Sequence, residues 1–115
     1  MDKYRIDGHK LMFHVPRVHE WLDKGDVYPV YMEVSPSGAC NHRCAFCGLD
    51  FLEYRPRFLR EDVFLERIAE LGRLGLASMM FGGEGEPLIH KGMARFAKQA
   101  RDSGIDGARG SVAGP

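Results

Sequence analysis

The sequence predicts an α/β fold assembled from successive βα units around a parallel sheet, and three observations carry that reading. Strand-like and helix-like runs alternate along the chain, the order that right-handed βαβ crossovers produce. Leu76-Ala77-Ser78-Met79-Met80-Phe81 is almost wholly apolar, as a strand buried on both faces must be. Glycine-bearing loops follow where strands should stop, at Pro36-Ser37-Gly38 and at Gly82-Gly83-Glu84-Gly85-Glu86-Pro87. In parallel α/β folds, the loops at those carboxyl ends are where sites are built.

A short leading helix comes first. Val18, Trp21 and Leu22 fall at helical spacing, Pro16 suits an entry turn and Gly25 a stop, so residues 1–26 read as an N-terminal extension carrying one helix. Val27 to Val34 reads as the first strand, with Val30, Met32 and Val34 alternating against Tyr31 and Glu33. Pro29 stands at its start, where a missing N–H is tolerated. A loop holding all the cysteines runs to about Phe58.

The first crossover helix is expected over about Arg60 to Leu71. Phe64, Ile68 and Leu71 recur at i, i+4 and i+7, and Glu61 and Asp62 occupy the first turn, where they suit the helix dipole. Gly72 and Gly75 should end it. After the strand at 76–81, a second helix from about Gly92 to Ser103 places Met93, Phe96, Ala97 and Ala100 on one face and stops at Gly104. Ile105-Asp106 hints at a third strand, but Gly107 through Pro115 offers no run of large apolar residues. The core is therefore assigned to 27–106, and 107–115 is expected to be a disordered or aberrant tail. Two βα units neither close a barrel nor cover both faces of a sheet, so the chain reads as a truncated piece of a larger fold.

Composition then excludes several function classes. The 115 residues are 44% hydrophobic and 28% charged, ordinary for one globular domain. At this length, folding buries roughly 60 to 70% of the unfolded surface, so the core is modest. Sixteen Lys plus Arg balance sixteen Asp plus Glu, with neither sign strongly clustered; a nucleic-acid partner is disfavoured without being ruled out. No run of about 18 apolar residues is available to cross a membrane. The opening Met1-Asp2-Lys3-Tyr4-Arg5-Ile6-Asp7 is charged, unlike a secretory signal. The expected location is cytoplasmic, where clustered cysteines are more often metal ligands or catalytic thiols than disulfides.

All three cysteines lie in Cys40-Asn41-His42-Arg43-Cys44-Ala45-Phe46-Cys47, as C-x3-C-x2-C. Thiolates so spaced on a loop can converge on one metal centre, and soft sulfur suits zinc or an iron–sulfur cluster. Structural zinc takes four ligands. His42 or His90 would have to supply the fourth, and His42, lying between two of the cysteines, is poorly placed to close around the same ion. A 4Fe-4S cluster has four irons, each taking one outer ligand; three cysteines would leave one iron open, and open positions signal catalysis.

Placed directly after a first strand, and with an aromatic residue before its third cysteine, this motif resembles the cluster-binding loop of the radical S-adenosylmethionine (radical SAM) enzymes. Gly82-Gly83-Glu84-Gly85-Glu86-Pro87-Leu88, one βα unit later, resembles that family's Gly-Gly-Glu segment. Gly83 and Gly85 would let the backbone approach a ligand, and carbonyls and a carboxylate can accept hydrogen bonds from an ammonium group. The resemblance spans about Val30 to Asp106. It implies the first βα units of a partial (β/α)6, TIM-like barrel, with Cys40, Cys44 and Cys47 each on one iron of a 4Fe-4S cluster and S-adenosylmethionine chelating the fourth. It also implies that the Gly83–Glu86 segment holds the cofactor's amino group. Because the pattern reads Gly-Glu-Gly-Glu-Pro, either Glu84 or Glu86 could make that contact; Glu86, before the Pro-Leu pair, is the first choice.

Phe46 would pack near the adenine or plug the cluster loop. The implied reaction is reductive cleavage of S-adenosylmethionine to a 5′-deoxyadenosyl radical that abstracts hydrogen from a substrate the sequence leaves open, with flavodoxin or ferredoxin as electron donor. The competing readings are a non-catalytic zinc or iron–sulfur module and an inactive truncated fragment. Of the remaining candidates, His9, His14 and His19 lack a second ligand at matching spacing. Arg55-Pro56-Arg57 reads as a solvated pair that could meet a carboxylate or phosphate. Met79 and Met80 read as core.

Overall fold

In a computed structural model of the protein, residues 9–50, 52 and 54–109 are described. A 3-10 turn, His9–His14, leads into helix α1, Val15–Lys24. Pro16 lies in its first turn, and Gly25 ends it in the left-handed region (φ 73°), donating its N–H to the Trp21 carbonyl at 2.7 Å. The boundaries follow the sequence, but the apolar face does not reach the core: Trp21 and Leu22 are 55% and 72% exposed, and no α1 residue is buried. What ties α1 to the rest is Arg17, whose guanidinium donates to the Tyr28, Leu74 and Gly75 carbonyls.

Strand β1, Tyr31–Val34, is followed by helix α2, Glu61–Arg73, strand β2, Ser78–Phe81, helix α3, Met93–Asp102, and strand β3, Asp106–Arg109. The strands form one parallel sheet in the order β1-β2-β3, the α/β arrangement expected. Met32 pairs with Met79 and Val34 with Phe81, and these four side chains face the helices. The core consists of Phe64 and Ile68 of α2, Met93, Phe96 and Ala100 of α3, Met79 and Phe81 of β2, and Leu76 and Ile105 just before strands. The Phe64 and Phe96 rings meet edge to face at 4.8 Å, a favourable quadrupole geometry. Met79 is fully buried, as a core residue should be.

Four details depart from the sequence reading. Gly72 does not stop α2 but lies inside it; a side chain there would come within 2.5 Å of the Ser103 carbonyl oxygen, so the glycine serves the close passage of α2 by the end of α3. Ala97 is exposed, so the buried stripe of α3 is narrower than its apolar pattern. The first strand begins at Tyr31, four residues later than Val27, although the Val30 carbonyl still accepts the Ala77 and Ser78 N–H groups. Finally, Gly107, Ala108 and Arg109 continue as a strand where a tail was expected. Ile105 is buried to 2% and anchors the chain, the Asp106 N–H donates to the Ala77 carbonyl at 3.0 Å, and the ladder with β2 is built from backbone groups that need no large side chains. The rest of the expected tail, 110–115, lies outside the described residues.

Candidate functional site

The loops leaving β1 and β2 lie against each other. After β1, Ser35 Oγ donates to the Ser37 carbonyl at 3.2 Å, and the fully buried Ser37 bonds through its hydroxyl to both the N–H and the carbonyl of Ala39, each at 3.1 Å. Such local hydroxyl bonds stabilise turns where no ladder is available. The return leg of the cysteine loop clamps this turn: Gly38 N–H donates to Arg57 O at 2.7 Å, Leu59 N–H to Pro36 O at 3.0 Å, and Ser37 and Phe58 form an antiparallel bridge. A side chain on Gly38 would meet the Tyr54 hydroxyl at 2.6 Å. The segment entering Cys40 is thus fixed from both sides.

Cys40, Cys44 and Cys47 are free thiols, each half-buried. A backbone bond from Cys47 N–H to Cys44 O at 3.0 Å turns the chain between the last two. Among the described residues, no three His, Cys, Asp or Glu side chains gather as a single-ion site. Neither histidine considered as a fourth zinc ligand is arranged for that task. His90 is buried, with Nε2 on the Leu59 carbonyl at 2.8 Å and Nδ1 accepting the Gly92 N–H at 2.9 Å. His42 Nε2 lies 3.4 Å from Glu86 Oε2. Phe46 stands 84% exposed and so does not plug the cysteine loop. A cleft of about 240 Å³ opens beside Cys40, lined also by Arg43, Leu49 and Tyr54.

The Gly-Glu loop after β2 packs onto this framework through its glycines. Gly83 adopts φ 98°, and a side chain on it would come within 2.7 Å of Ser35 Cβ. A Cβ on Gly85 would strike the Ser37 carbonyl and lie 2.6 Å from that of Ala39. The Glu86 N–H completes the seam by donating to Ala39 O at 2.9 Å. Glu86 is only 6% exposed; its Oε1 accepts the Leu88 N–H at 3.1 Å, capping a short turn at Pro87–Ile89, while Oε2 faces His42. Glu84 on the same loop is exposed. Sequence reasoning set the two motifs side by side but missed the residues that join them. Ser37 carried a readable signal as a hydroxyl in a Ser-Pro-Ser-Gly turn; His42 carried none, because its partner is remote in sequence.

His14 is half-buried and His19 exposed, and neither belongs to this site; the side chain of His9 lies outside what is described. Arg55 and Arg57 are exposed on the return leg.

A model of the radical SAM superfamily matches residues 34–112, from the end of β1 past β3 and through both loops. The chain is 35% identical over 63 residues to a GTP 3′,8-cyclase of Stenotrophomonas maltophilia strain R551-3, covering 53% of this chain and 19% of the relative. It is 33% identical over 75 residues to a GTP 3′,8-cyclase of Heliobacterium modesticaldum, covering 62% of this chain and 22% of the relative. The matched stretches thus span about a fifth of the relatives' length. No solved structure gives a significant match.

Proposed function

We propose a function on one premise: the chain belongs to the radical SAM superfamily. It forms the opening βα units of a partial (β/α)6 barrel and contributes the cofactor-binding loops of a radical SAM enzyme. The observation that carries this reading is the contact between the two loops, with the Gly85 and Glu86 backbone seated on Ser37 and Ala39 directly before Cys40. That contact holds a segment suited to an amino-acid moiety against the start of the loop that carries the three cysteines.

The donor set fits a multi-iron cluster. Three soft thiolates on one loop suit a 4Fe-4S cluster, which takes one protein ligand per iron, and both histidines that could complete a zinc site have other partners. In this reading Cys40, Cys44 and Cys47 each hold one iron. Carbonyls of the Gly83–Glu86 segment and an acidic side chain of that loop accept the amino group of S-adenosylmethionine. Phe46, already exposed, offers its ring to the adenine. A reduced 4Fe-4S cluster held by Cys40, Cys44 and Cys47 would supply the electron for reductive cleavage of S-adenosylmethionine. The protein's task is to hold the cofactor in register and keep the centre from competing reactions.

An electron donor of the flavodoxin or ferredoxin type is the matching partner, and the exposed Arg55 and Arg57 beside the cysteine loop suit an acidic one. Reduced thiols fit a cytoplasmic location; no helix among the described residues is long and apolar enough to cross a membrane. GTP, which the relatives' name gives as their substrate, is the first substrate to assay.

Anaerobic loading with iron and sulfide tests the reading. The expected product has a 4Fe-4S absorption band and a reduced EPR signal that changes on adding S-adenosylmethionine, both lost in Cys44→Ala. Tight zinc binding with no cluster would overturn it in favour of a zinc module.

A further inference from the structure

We infer that His42 is a positioning residue that braces Glu86 across the two loops, so that Glu86 supports the cofactor-facing backbone from behind. The inference rests on the function proposed above and deepens it by separating the tasks of the two acidic residues. Glu86 is 6% exposed, and both of its carboxylate oxygens face protein groups: Oε1 the Leu88 N–H at 3.1 Å, Oε2 the His42 Nε2 at 3.4 Å. Swinging it out to a ligand would break this cap on the Pro87–Ile89 turn and give up the contact with His42 as well. Its own N–H is already committed to Ala39 O at 2.9 Å. The carboxylate therefore stays inside and fixes the turn.

Glu84 is exposed on the same loop, so a carboxylate is available to an ammonium group without unburying Glu86. His42 sits between Cys40 and Cys44, which makes this contact a side-chain link from the loop carrying the cysteines to the loop after β2. A neutral imidazole N–H suffices for it, and the brace requires no change of protonation. The assignment is specific: His42 and Glu86 set the backbone, while Glu84 meets the cofactor.

The test compares His42→Ala and His42→Asn, which cannot reach Glu86, with His42→Gln, whose amide N–H reaches about as far as Nε2. In metal-free protein, exchange of the Glu86 and Leu88 amide hydrogens should speed up about tenfold in the Ala and Asn variants and stay within about threefold of wild type in the Gln variant, as loss of one polar contact to a buried carboxylate implies. After anaerobic loading, the Ala and Asn variants should keep wild-type iron content because the three cysteines are intact. Their affinity for S-adenosylmethionine, read from the EPR change, should fall about tenfold, with rescue by Gln. Glu84→Gln should weaken that affinity and leave amide exchange unchanged. Wild-type amide exchange in both His42→Ala and His42→Asn would overturn the brace. Equal cofactor affinity in Glu84→Gln and wild type would overturn the role given to Glu84. A wild-type protein whose cluster ignores S-adenosylmethionine would overturn the proposed function, while the amide exchange, measured without cofactor, still decides the brace.

Discussion

Gly85 governs how closely the two loops can approach, since a methyl group there would run into two backbone carbonyls that have nowhere to move. Gly85→Ala is expected to destabilise the protein by about 1–3 kcal/mol, as overpacking does, and to abolish the response of the loaded cluster to S-adenosylmethionine. Urea unfolding and EPR measure the two effects. Gly25→Ala is the contrast: it strains a left-handed residue in open space at the end of α1, so it should cost stability and leave the EPR response intact. The sequence explained Gly83 and Gly85 by approach to a ligand. The structure supplies an earlier reason, approach to another loop, which no reading of one segment at a time could find. Tyr31 gives a pH prediction of the same local kind. Its hydroxyl donates to Glu33 Oε1 at 2.8 Å, and that bond, then desolvation and the carboxylate charge, hold its pKa above the ordinary 10.0. A raised folded value means the contribution is present below the unfolded pKa and lost as pH rises through the folded one. Glu33→Gln should therefore lower the phenolate absorbance midpoint assigned to Tyr31 by subtraction of a Tyr31→Phe spectrum.

The helices were legible in detail because a 3.6-residue period shows directly in side chains: Phe64 and Ile68 of α2 and Phe96 and Ala100 of α3 are the residues that meet. Phe96 is fully buried against Phe64 and the His90 ring, at centroid distances of 4.8 and 4.7 Å. Phe96→Ala should cost about 3–5 kcal/mol by lost transfer energy and a residual cavity, read as a lower urea midpoint with an unchanged slope. The short strands were less legible. β3 has no apolar alternation to read in Asp106–Arg109, because what holds it is backbone pairing to β2 and the buried Ile105 just upstream. α1 shows the opposite failure, since its sequence pattern is amphipathic but nothing among the described residues covers its apolar side. Periodicity reports that a face is apolar; it does not report what the face meets.

The molecule as a whole carries its apolar surface unevenly. Helices α2 and α3 pack on the sheet face bearing Met32, Val34, Met79 and Phe81, while Tyr31 and Glu33 on the other face are exposed. Beyond β2, a groove of about 580 Å³ runs along Phe81, Leu88, Met93 and Ile105. On the N-terminal extension, Leu11, Met12, Phe13, Val15, Trp21 and Leu22 are all more than half exposed. Contiguous exposed apolar surface promotes association, and this chain has little charge repulsion to oppose it: its formal net charge is zero and its isoelectric point is near 7.0. Solubility should therefore pass through a minimum close to neutral pH and rise on either side as net charge develops. Leu22→Glu separates this surface effect from folding. Leu22 is 72% exposed, so the substitution should change stability by no more than about 0.5 kcal/mol. It nevertheless adds a charge in the middle of the apolar face of α1. The expected result is higher solubility at pH 7, measured by turbidity against concentration, with an unchanged urea midpoint. An equal fall in stability and solubility would instead mean that α1 packs its apolar face against the protein.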